Sequence, residues 1–103
     1  MEHVEQHDRL NELREYGRMH WLEGAHAWRA EPDDVMNALA ADGFQECKRE
    51  TARIPRGGGS TGGVWQGIDH RTGAVASTVW VRQPATDSPI VFITIDGQAI
   101  EGR

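Results

Sequence analysis

Several groups of residues in this chain have types and spacings that chemistry could use. The run Gly57-Gly58-Gly59-Ser60-Thr61-Gly62-Gly63 could gather backbone N–H groups around an anion, because glycine lets successive amides converge. A nucleotide-binding phosphate loop ends in Lys followed by Ser or Thr, whereas Val64 and Trp65 follow here. A dinucleotide-binding turn opens a helix, and a strand pattern follows instead. The run therefore reads as a flexible loop. His3 and His7 stand four apart and could share a metal from one helix face, but the zinc-peptidase pattern requires Glu directly after the first histidine, where Val4 stands. His20 and His26 are six apart and do not share a helix face. With one cysteine in the chain, structural zinc is not expected. Cys47 has no histidine beside it in sequence, and Ser60 lies in the glycine run, a poor mount for a nucleophile. Asp33 and Asp34 are placed to favour the positive end of a helix. The expectation is a chain with no catalytic, cofactor or metal site.

Two binding readings remain. Lys48, Arg49, Arg53, Arg56, Arg71 and Arg82 fall in the second half of the chain, where Trp65 and Trp80 could stack bases. These residues make a nucleic-acid-binding module the alternative reading. Against it stand a net charge of −5 and the acids Glu46 and Glu50 among the bases. The favoured reading is a small non-enzymatic inhibitor or adaptor acting by protein–protein contact. Trp21, Trp28, Trp65 and Trp80 would be its contact residues, since tryptophan is enriched where interfaces derive their affinity. Residues 1–46 carry 11 acids and 4 bases, and residues 47–103 carry 5 acids and 7 bases, so the chain is acidic on one half and mildly basic on the other.

The elements that must position these residues suggest one α+β domain over 1–103, helical over 1–43 and an antiparallel sheet of four to five strands over 44–103. The firmest element is a hairpin turning at Asp69-His70-Arg71-Thr72-Gly73. Asp69 can accept backbone N–H groups, and Gly73 supplies the left-handed residue that closes the loop. A four-residue loop sets Ile68 opposite Val75, Gln66 opposite Ser77 and Val64 opposite Val79. The other face then carries Gly67 opposite Ala76 and Trp65 opposite Thr78, with Trp80 diagonal to Trp65. One face is rich in Val and Ile, and the other has two tryptophans beside small residues.

Before the hairpin, Leu10, Leu13, Gly17, Trp21, Gly24 and Trp28 recur at three- and four-residue steps, which predicts a helix from His3 to Arg29. A competing reading ends the helix near Gly17 and makes Trp21 to Trp28 a hairpin turning at Glu23-Gly24. Pro32 opens a second helix, and Gly43 caps it in the left-handed conformation. Phe44 to Ile54 reads as a charged edge strand. After the hairpin, Pro84 to Pro89 is a loop, Ile90 to Ile95 a central strand, and Asp96-Gly97 a tight turn into a short last strand.

A helix from His3 to Arg29 would be ~40 Å long, longer than a domain of this size is wide, so its tryptophan stripe would overhang the sheet. A homodimer through the first helix follows from that length. No apolar run approaches a membrane span, no signal peptide opens the chain, and one cysteine suits a reducing compartment, so the expected location is cytoplasmic, with no membrane contact. The terminal Ile100-Glu101-Gly102-Arg103 is identical to a common engineered protease-cleavage site, a match as compatible with a fusion scar as with a native end.

Overall fold

The computed structural model describes residues 8–53, 59–83 and 89–102. In chain order its elements are α1 (Asp8–Glu15), β1 (His20–Leu22), β2 (Ala27–Arg29), α2 (Pro32–Ala41), β3 (Gln45–Arg53), β4 (Thr61–Asp69), β5 (Ala74–Arg82), β6 (Ile90–Ile95) and β7 (Gln98–Ala99). The strands form one antiparallel sheet in the order β1-β2-β6-β5-β4-β3, with β7 also paired to β6. Both helices pack on the same face of it, so the fold is two-layered α+β. No helix among the described residues is long and apolar enough to cross a membrane.

The β4–β5 hairpin has the expected register, with Ile68 opposite Val75, Val64 opposite Val79 and Trp65 opposite Thr78. Its loop closes as its residues require. Asp69 accepts the Arg71 N–H at 2.9 Å through its side chain, and its carbonyl accepts the Gly73 N–H at 2.7 Å. Gly73 has φ +79, where an added Cβ would be strained. The Asp96-Gly97 turn has positive φ at both residues, as a two-residue hairpin turn needs.

The expected helix from His3 to Arg29 is not formed. α1 is eight residues long, ~12 Å, and stops before Gly17, whose φ is +74. There the Arg18 N–H reaches the Leu13 carbonyl and the Gly17 N–H the Arg14 carbonyl, the paired bonds of a left-handed helix stop. α2 ends identically at Gly43, through Phe44 to Leu39 and Gly43 to Ala40. Beyond Gly17 the chain forms the hairpin β1–β2, with Trp21 directly opposite Trp28. A seven-residue spacing suits a helical stripe and suits two positions placed symmetrically about a turn, and the helix stop selects the second. These two strands raise the count from the expected four or five to seven, and the expected short last strand is β7. With the long helix goes the overhang from which the homodimer through the first helix was expected.

The edges also match their chemistry. β3 is an edge strand with every residue exposed, and its charges discourage pairing with a further chain. β6 lies inside the sheet between β2 and β5. Gly62 and Gly63, expected in a loop, are strand residues of β4. His3, His7, Arg56, Gly57, Gly58 and most of the Pro84–Pro89 loop lie outside the described residues.

Candidate binding surface

Strand alternation sorts the sheet's side chains into two sets. The set under the helices comprises Trp65 and Gly67 on β4, Ala74, Ala76 and Thr78 on β5, and Val91, Ile93 and Ile95 on β6. Leu10, Val35, Met36, Leu39 and Phe44 close over them to make the core. Small residues at the centre leave room for the large ones. The Trp65 ring lies over Gly67 so closely that a Cβ there would sit 2.5 Å from it, and the Trp80 indole covers Gly63 in the same way at 2.6 Å.

Among the described residues, no helix lies on the opposite set. Cross-strand pairing arranges it in rows. One runs Glu50, Val64, Val79, Phe92 across β3 to β6, and the next runs Ala52, Gly62, Val81, Ile90, Arg29. On the other side of the first row lie Lys48, Gln66, Ser77 and Thr94, and beyond them Ile68 and Val75. Val75, Val79 and Phe92 are 39–43% exposed, although they occupy interior strands. At the Glu50–Ala52 end, a hollow of about 290 Å³ opens beside Gly62, Val64, Val79 and Val81. Among the described residues, the charged side chains of these rows are Lys48 and Glu50 on the β3 edge and Arg29 on β2, beside the β1 edge.

The residues singled out from sequence are dispersed. Trp65 and Trp28 are 1% and 3% exposed, so neither can meet a partner. The Trp65 indole N–H donates to Glu46 at 2.8 Å, and that of Trp28 donates to the Ile100 carbonyl at 2.8 Å. Trp21 is half-buried, edge-on to Trp28 at 5.2 Å, and Gly102 packs against its ring. Arg14 lies over the Trp28 ring at 4.8 Å and donates to the Glu101 carbonyl. The last residues described are thus docked on an aromatic platform. Trp80 is half-buried near the rim of the hollow.

Four of the candidate basic residues among those described are held by acids. Lys48 pairs with Glu50 at 3.5 Å, Arg49 with Glu46 at 2.7 Å and Arg82 with Glu31 at 2.8 Å. Arg71 serves the fold. It grips the buried Asp69 at 2.8 Å and the Asp42 carbonyl at 2.9 Å, tying the hairpin loop to the end of α2. The Arg71 guanidinium holds the Asp69 carboxyl below the ordinary carboxylate range. Asp42 behaves oppositely. Burial pushes its pKa up to about 6, although it accepts the Arg9 N–H at the start of α1. Arg53 is exposed on the edge strand.

The polar candidates for chemistry do not converge. Cys47 is the extra residue of a bulge between Glu46 and Lys48, exposed and within 3.5 Å of the Gln66 carbonyl. His20 is exposed on β1, and His26 follows the Glu23–Ala25 turn with φ 50, its ring edge-on to Trp21. Among the described residues no three His, Cys, Asp or Glu side chains are grouped to hold a metal.

Comparison with known protein families, with curated proteins and with solved structures finds no match to this chain. The surface that sequence reasoning passed over is the apolar open face. Its signal was the hairpin register, which had already separated a Val/Ile face from a tryptophan face. Tryptophan's value at interfaces drew attention to the face that the helices cover.

Proposed function

We propose that this protein is a non-enzymatic binding module, an inhibitor or adaptor, that holds another protein chain against the open face of its sheet. The observation that carries the reading is the exposure of Val75, Val79 and Phe92 on interior strands, backed by Val64, Val81 and Ile90. An antiparallel sheet that faces water on one side ordinarily alternates apolar-in with polar-out. Here the open side carries valines, isoleucines and Phe92 on interior strands, with one polar row through Gln66, Ser77 and Thr94, and no helix among the described residues covers it. Contiguous exposed apolar surface of this kind marks interaction sites, because covering it gains roughly 25 cal/mol per Å² before the costs of association. The flanking Lys48, Glu50 and Arg29 supply the polar rim that protein interfaces have.

The nucleic-acid alternative draws less support, because four of the six candidate bases are held by acids of the same chain. Capture from extract of the native host separates the readings when the chain is compared with Val79→Lys. The expected result is a protein retained by the unaltered chain and lost by Val79→Lys, with no heparin retention. Equal capture by both chains, or heparin retention that falls steeply with salt, would count against the open face.

A further inference from the structure

We infer that the chain seated on the open face is a second copy of this protein, with the two sheets meeting face to face about a two-fold axis parallel to the strands between β4 and β5. This rests on reading the open face as a protein interface, and it names the occupant. Three features of the face support it. The first is area. Four strands at ~4.8 Å spacing, each ~25 Å long, give a footprint of ~500 Å² per copy, so two such faces together reach the ~1,000 Å² that a specific interface needs.

The second is shape. A two-fold axis along the strands reverses their left-to-right order but keeps their level, so β6 of one copy lies over β3 of the other and β5 over β4. Phe92 is level with Glu50 and Val64 through the pairs Glu50–Val64, Val64–Val79 and Val79–Phe92. Phe92 of one copy therefore falls over the β3 side of the hollow, which spans Glu50 and Ala52 on β3, Gly62 and Val64 on β4, and Val79 and Val81 on β5 of the other. The face carries one aromatic projection and one apolar depression, at positions that this operation exchanges. Face-to-face sheets pack ~10 Å apart, a gap that side chains of this size fill.

The third is charge. Arg29 lies beyond β6 on β2, one strand inside the β1 edge, and Glu50 lies on β3 at the opposite edge. The same operation carries Arg29 of one copy one strand spacing, ~5 Å, outside β3 of the other. It arrives at the level of Ala52, one row and ~7 Å along the strand from Glu50, within reach of an arginine side chain. Glu50 is otherwise paired only loosely, with exposed Lys48 at 3.5 Å. An isologous interface repeats each such contact twice.

Sedimentation equilibrium on the full chain tests the inference, with Phe92→Lys, Arg29→Glu, Glu50→Arg and the double charge exchange as variants. The expected result is a dimer for the unaltered chain at micromolar concentration and a monomer for Phe92→Lys with unchanged circular dichroism. Each single charge reversal should weaken the dimer by about fivefold or more, and the double exchange should recover most of that loss. If Phe92→Lys fails to fold, Val79→Lys serves in its place. A monomer at high micromolar concentration, a Phe92→Lys dimer, or a double exchange no tighter than the weaker single reversal would each overturn the inference. A monomeric chain whose capture of another protein is still lost in Val79→Lys rejects the second copy but keeps the interface, and loss of both results rejects both.

Discussion

β4 and β5 present the same two backbones to opposite surroundings. On the helix side they carry Trp65, Gly67, Ala76 and Thr78, none more than sparingly exposed. On the other side they carry Val64, Val75, Val79 and Val81, and Val75 and Val79 are 39% and 43% exposed. The covered side joins a very large residue to very small ones, because a helix can settle there only if bulk and space are matched point by point. The open side is less varied in size, with valines and isoleucines of similar bulk interrupted by Gly62, Gln66 and Ser77, and with Phe92 beside them on β6. A face of that kind suits another flat surface. The contrast shows that residue type alone does not say which face of a sheet is exposed. The four tryptophans are this chain's largest side chains, and two of them are core.

Substitutions on the two sides should differ sharply. The largest effect expected is Trp65→Ala, which empties the centre of the covered face and should cost about 3–5 kcal/mol in urea unfolding. Gly73→Ala acts on the turn that holds both faces in register and should cost about 1 kcal/mol or more, because alanine resists the observed φ.

Asp42 should contribute an effect of similar size with an unusual pH dependence. Its pKa is raised in the folded chain to about 6 from an ordinary 3.8. The folded state therefore binds this proton more tightly than the unfolded one. The contribution is most favourable at and below the unfolded value and is lost as pH rises through about 6. Asp42→Asn retains an acceptor for the Arg9 N–H and removes the ionisation cost, so it should stabilise the fold at pH 7 by about 1 kcal/mol, allowing for solvent screening. Urea midpoints at pH 4 and pH 7 read this directly, and the variant should gain less between them at the acid end. Asp69, whose pKa is lowered by Arg71, has the opposite sign and loses its contribution as pH falls through and below the ordinary carboxylate range.

The smallest expected effect on stability is that of Val79→Lys, within about 0.5 kcal/mol, because its side chain already meets solvent. Only association should change. A loss comparable to that of Trp65→Ala would mean that the two faces are not different in kind.

Much of the architecture was legible because local chemistry agreed with it. Asp69 and Gly73 dictate a loop of one length, and a strand period of two then leaves no freedom in pairing Ile68 with Val75 or Val64 with Val79. Pro32 and Gly43 mark the limits of α2 just as directly. Gly17 carried the same signal as Gly43 but stood inside an apparent stripe that continued to Trp21 and Trp28. The stripe was two patterns joined end to end, a helix through Leu10 and Leu13 and then a hairpin pairing Trp21 with Trp28. The open face was half legible. The register separated two faces of the hairpin, but which of them the helices cover depends on the room left above Gly67 and Ala76 and on what Phe44 and Leu39 can reach. Those are matters of three-dimensional packing, and no local pattern encodes them. The structural role of Arg71 was hidden for a related reason, since the Asp42 carbonyl it grips is 29 residues away.

Photo-crosslinking from the centre of the open face tests the central claim most directly. A photoreactive residue replacing Val79, and a control replacing Tyr16, which is 78% exposed on the helical side, would be irradiated in cells of the native host. The account predicts a discrete protein adduct from position 79, either with the chain's own copy or with another protein, and none from position 16. Adducts from position 16 alone, or from neither position, would contradict it.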